Sequence, residues 1–196
     1  NPTLLGPERL RGILNGRLGF KQVTVPDEAF GHDLKYPDAL KILNDLRARA
    51  AKKGVAFGVK LSNTLEVINH RTVFSAKEKM MYLSGRPLQA VTVNLAATLA
   101  SEFEGDLPMS YAGGADGWNA ADLLACGMTT ITASSDLLRP GGYARMLQYI
   151  AETETAMKAA GAANLAAFVF AKSGEKGGDV KTAALANLLN YAEEVV

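Results

Sequence analysis

Two stretches of small residues are the best places in this sequence to hold an anion. They are Ser110-Tyr111-Ala112-Gly113-Gly114-Ala115-Asp116-Gly117 and Thr132-Ala133-Ser134-Ser135-Asp136. Adjacent glycines let backbone N–H groups come close to an anion, and a helix starting just beyond adds positive partial charge. Gly113-Gly114 alone reads equally well as a tight turn. Both stretches together, each just after an apolar strand, match the phosphate site that the last two strands of many (β/α)8 barrels build.

Lys60 lies in Val59-Lys60-Leu61, near the end of an apolar run. A lysine there either snorkels to the rim or reaches a ligand. Asn94 ends Val91-Thr92-Val93-Asn94 in the same way. A buried amide needs partners, from a ligand's heteroatoms or from a neighbouring loop. His32, beside Asp33, is the proton-transfer candidate. The competing reading is an exposed loop histidine with no catalytic role. Cys126, the single cysteine, sits at the apolar end of a helix and reads as a core thiol. No metal-ligand spacing is present.

Short apolar strands alternating with helices must position these groups. Strands are expected at 22–25, 55–61, 90–94, 107–111 and 129–133. Helices are expected from Pro37 to the Gly54 stop, at 75–83, 98–103 and 118–125, and from Tyr143 to the Gly161 stop. Trp118 is expected between helix and barrel, Met80-Met81 in the core, and Lys77-Glu78-Lys79 on a solvated face. This alternation implies parallel strands, as an open doubly wound sheet or a closed barrel. A barrel needs eight strands and about 250 residues, so 196 residues with five strand candidates would supply only part of one. The tail differs. Residues 164–172 fit helix or strand, 173–178 form a connector, and Asp179 caps a helix over 180–196.

Composition bounds the function. Lys plus Arg total 21 against 20 for Asp plus Glu, so the basic footprint of a nucleic-acid binder is absent. No apolar run is long enough for a membrane span. With no signal peptide at the start and one cysteine, the expected compartment is the cytoplasm.

Val59-Lys60-Leu61, Asn94, Ala112-Gly113-Gly114-Ala115 and Ala133-Ser134 together resemble the second half of an FMN-binding barrel of the dihydroorotate and dihydropyrimidine dehydrogenase group. More closely, residues 4–150 are similar to the large iron–sulfur flavoproteins assigned as selenate reductase subunits. The resemblance implies the C-terminal half of a TIM (β/α)8 barrel, strands four to eight, over 1–160. Residues 161–196 would then be a linker and helix leading toward a following domain. It also implies FMN, with Lys60 and Asn94 on the ring and ribityl chain, and Gly113, Gly114, Ala133 and Ser134 on the phosphate. FAD, NAD(P)H and iron–sulfur clusters would belong to other modules of the same polypeptide.

One departure matters. Where the dehydrogenases carry a cysteine base, this chain has Val25, and valine cannot transfer a proton. The leading expectation is therefore a fragment of a flavin-dependent oxidoreductase, passing electrons between FMN and a small substrate or acceptor and inactive alone. The alternative is a catalytically silent structural module of a multidomain flavoprotein. A flavin-free barrel isomerase or synthase would need a strand-end carboxylate, with Asp116 and Glu66 the nearest options. A half barrel also exposes strand edges, so the chain is expected to form a homodimer or to cover its open face with its own C-terminal helix.

Overall fold

The computed structural model describes residues 1–70, 73–174 and 177–196. Strands β1 (Val59–Leu61), β4 (Met109–Ala112) and β5 (Thr130–Thr132) form a parallel sheet in the order β1-β4-β5. Val59 pairs with Met109 and Leu61 with Tyr111; Ser110 pairs with Thr130 and Ala112 with Thr132. Between β1 and β4 lies an antiparallel hairpin of β2 (Leu65–Ile68) and β3 (Met80–Leu83).

Eight α-helices surround the strands among the described residues: α1 (Pro7–Arg11), α2 (Asp27–His32), α3 (Tyr36–Lys53), α4 (Leu88–Glu102), α5 (Ala120–Ala125), α6 (Met146–Ala159), α7 (Leu165–Ser173) and α8 (Val180–Glu194). Gly54 ends α3 in the left-handed region, as its place after Lys52-Lys53 predicts. The Asp179 carboxylate accepts the Lys181 N–H and caps α8.

Side chains alternate across a strand, so the sheet has two unlike faces. Leu61, Met109 and Tyr111 face the main core, with Val93, Leu95 and Leu99 of α4, Leu123 of α5 and Leu188 of α8. Each fully buried leucine contributes about 1.5–3 kcal/mol relative to exposure. The other face carries the row Lys60–Ser110–Thr130, and Lys60 and Thr130 are exposed. A second core joins α1, α2 and the hairpin through Leu10, Leu14, Val25, Leu65 and Val67.

Several expected elements differ. The 90–94 strand is the start of helix α4, which also absorbs the short helix expected at 98–103. It is buried nearly all round, because it separates the two cores. An apolar run of that kind has no period to distinguish strand from helix. The 75–83 helix is instead a turn followed by β3, because pairing with β2 outweighs local helix propensity. Residues 22–25 alternate buried and exposed as a strand would, but outside any ladder; Thr24 O accepts from Ile68 N–H. Residues 165–172 are helical, within α7, and Asn164 is the N-cap of that helix. The 173–178 connector lies partly outside the described residues. Trp118 is 71% exposed, so it is not wedged between helix and sheet.

Candidate functional site

The C-terminal ends of β1, β4 and β5 open on one cavity of about 390 Å3. Parallel sheets place ligands at this end. Ser62, Ala112 and Thr132 form its floor. Gly113-Gly114 and Ser134-Ser135 form two walls, and Ser84-Gly85-Arg86 from the loop after β3 closes a third.

Gly113 has φ 132° and Gly114 φ 78°. A Cβ on Gly113 would sit 2.6 Å from Thr92 Oγ1, and one on Gly114 2.6 Å from Gly85 O. Backbone conformation and close approach both demand glycine here. Three consecutive carbonyls of this turn are held from behind. The Tyr111 hydroxyl donates to Gly113 O at 2.7 Å, Asn119 Nδ2 to Gly114 O at 2.9 Å, and the Tyr149 hydroxyl to Ala115 O at 2.9 Å. A trans peptide points its N–H opposite to its C=O. The N–H groups of Gly114 and Ala115 therefore face away from these anchors, and neither has a hydrogen-bond acceptor among the described residues. The expected contribution of a helix end is small, because α5 is a short helix that begins only at Ala120.

Charge is arranged around the turns. Arg86 Nε is 2.7 Å from Asp116 Oδ2, and Asp116 Oδ1 accepts the Trp118 N–H. Asp136 receives Arg145 on both oxygens at 2.9 Å, and the Tyr149 hydroxyl lies 3.2 Å from its Oδ2. The Arg145 hydrogen bond holds the Asp136 carboxyl below the usual carboxylate range, and burial pushes the Tyr149 hydroxyl up. Arg139 Nη1 stands 3.8 Å from Asp136 Oδ1.

Of the residues singled out from sequence, Gly113, Gly114 and Ser134 meet at this cavity. Ala133 lies between two lining residues without lining the cavity itself. Lys60 lies outside it, on the same sheet face as its floor but one residue pair lower, about 6–7 Å along the strand. Asn94 is not at a strand end. It sits in α4, 5% exposed, where its Nδ2 donates to Ala90 O and Ala192 O and its Oδ1 accepts from Arg9. Its amide is spent on packing α8 against α4.

His32 is also not on a loop. It ends α2, away from the cavity, with Nε2 2.9 Å from Glu66 Oε2. Val25 is 1% exposed within the second core, and its carbonyl accepts from Arg11. Cys126 is buried, and desolvation pushes its thiol up to about 12. Sequence reasoning missed Arg86, Arg139, Arg145 and Tyr149. Arg86 sits in Gly85-Arg86-Pro87 and Arg139 in Arg139-Pro140-Gly141, so turn residues beside each arginine were the available signal.

Among the described residues, no helix is long and apolar enough to cross a membrane, and no cluster of His, Cys, Asp or Glu could hold a metal ion. No solved structure matches the chain. It is 45% identical over 154 residues to the protein named "Putative oxidoreductase YgfK" in Escherichia coli K12, and equally to its namesake in Escherichia coli O157:H7. The match covers 79% of this chain and 15% of either relative, so the chain corresponds to a small part of their length. The family model described as "Oxidoreductase YgfK, N-terminal TIM-barrel domain" matches residues 1–189, and the chain belongs to that family of oxidoreductase domains.

Proposed function

We propose that this chain is part of an FMN-binding barrel in a flavin-dependent oxidoreductase, with the FMN phosphate held at Gly113, Gly114 and Ser134. One observation carries the reading. Two turns that follow adjacent parallel strands meet at one cavity, with outward amides on one turn and guanidinium groups beside both. A phosphate group suits such a cradle. Lys60 fits the same reading, because it shares the floor's sheet face and its long side chain can reach along the strand. There its charge would favour a reduced, negatively charged flavin ring. Asn94 does not fit, since its amide is committed inside the core. When bound, FMN would supply the electron chemistry, and the protein would orient the ring and exclude water. The electron partner is a small substrate or acceptor, or another module of a longer polypeptide carrying FAD, NAD(P)H or iron–sulfur centres.

A second reading, a catalytically silent barrel module, is favoured by Val25, which is buried and has no group to move a proton. One experiment separates the two. A polypeptide as long as the curated relatives and containing this sequence is purified and denatured, and its released flavins are separated. FMN in about equimolar amount, reduced by Lys60→Ala, supports the first reading. A folded polypeptide that releases no FMN supports the second. The 196-residue chain alone is expected to purify colourless, because a cofactor site normally encloses most of its ligand and this cavity is open.

A further inference from the structure

We propose that Arg139, assisted by Arg86, is the side-chain cation that makes this cavity select a doubly charged phosphate monoester over a singly charged anion. The proposal rests on the reading of the cavity as a phosphate site and assigns its specificity to these side chains rather than to the glycine turn alone.

The argument begins with charge. Arg86, Arg139, Asp116 and Asp136 are the charged residues lining the cavity, and Arg145 is bound to Asp136 behind it. Three guanidinium groups thus face two carboxylates, leaving one positive charge in excess. Hydrogen bonding shows where that excess lies. Arg145 takes both Asp136 oxygens. Arg139 is left at 3.8 Å, too far for a hydrogen bond, and its side chain donates none to a described residue. Its planar fork of donors is unspent. Arg86 is different. Its Nε is paired with Asp116, whose other oxygen is fixed by the Trp118 N–H. That anchor sets the plane of the Arg86 guanidinium while its terminal nitrogens have no acceptor among the described residues. Asp116 and Asp136 are therefore positioning residues, one for Arg86 and one for Arg145. The tetrahedral oxygens of a phosphate can accept from Arg139, Arg86 and the Gly114 and Ala115 N–H groups together; a carboxylate offers two coplanar oxygens and a single charge.

The test uses the 196-residue chain and inorganic phosphate. Phosphate is titrated at fixed ionic strength and slightly alkaline pH, with acetate as the singly charged comparator, and binding is followed by calorimetry and by the Gly114 amide resonance. Arg139→Gln is expected to weaken phosphate binding roughly ten- to a hundredfold, as for one lost charged hydrogen bond, and to leave acetate binding nearly unchanged. Arg139→Lys recovers part of the loss, and Arg86→Gln gives a smaller one. Arg139 is 53% exposed and its side chain makes no hydrogen bond to a described residue, so its variants are expected to melt like the parent chain. Arg86→Gln instead leaves the buried Asp116 carboxylate without its guanidinium partner and is expected to lower the Tm. Unchanged phosphate affinity in Arg139→Gln overturns the proposal whatever Arg86→Gln does, as does a parent chain that prefers acetate or binds no phosphate. Arginine-dependent phosphate binding by the chain, with no FMN released from the polypeptide as long as the curated relatives, leaves the proposal standing and removes the flavin reading.

Discussion

The two ends of the three-stranded sheet solve different problems with the same strands. At the C-terminal end, small residues leave backbone amides bare, and the polar groups around them are tied to one another. At the N-terminal end, Leu107, Met109, Met128, Leu185 and Leu188 line an apolar pocket of about 230 Å3. Its rim is pinned by Asp106, which pairs with both Lys181 and Arg47. Gly127 has φ 80°, and a Cβ there would meet Ala184 Cβ at 2.8 Å, so α8 packs directly onto this end. One end is shaped by what its residues lack, the other by what they fill. Ligand binding and stability should therefore respond to different substitutions.

The largest expected effect is at the apolar end. Leu188 is 2% exposed, and Leu188→Ala should cost about 2–5 kcal/mol in urea unfolding. Phosphate affinity of the folded fraction should stay constant; a loss there would show that the two ends are coupled. Asp136→Asn should have a smaller effect that depends on pH. Asp136 is held below the usual carboxylate range in the folded protein, so its contribution is complete above the ordinary value of about 3.9 and is lost as pH falls through the folded value. The gap in Tm between parent and variant should thus be widest near neutral pH and close in acid. A gap of constant size would show that Asp136 acts by shape rather than by charge. Gly114→Ala should cost at least the roughly 1–2 kcal/mol of a side chain in the left-handed region, and more because its Cβ would sit 2.6 Å from the Gly85 backbone oxygen. Phosphate binding should vanish, because the new Cβ collides with Gly85 O and moves the wall. Retained binding would mean that the turn is not part of the site.

The same contrast explains what could be read from sequence. The glycine turn and the serine turn were legible because their residue types answer a local demand for left-handed backbone or exposed N–H groups. Helix α3 was legible for the same reason, through Pro37 and Gly54. Asn94 was misplaced because Ala90-Val91-Thr92-Val93-Asn94 has the composition of a strand, and only burial on every side makes it helix. The β2–β3 hairpin was missed because Met80–Leu83 takes its conformation from a partner strand some fifteen residues away. Arg86 and Arg139 carried only the weak signal of neighbouring turn residues, which does not say which turns fold beside a cavity.

Tyr111 lies wholly in the core, yet its hydroxyl reaches through to Gly113 O. The aim of the outward amide is therefore set when the core packs, before any ligand arrives. A ligand entering this turn would meet donors already frozen in place, so little backbone freedom remains to be lost on binding. Affinity at such a site is governed by solvent displacement and charge, and the turn should be as rigid on the nanosecond scale when empty as when filled.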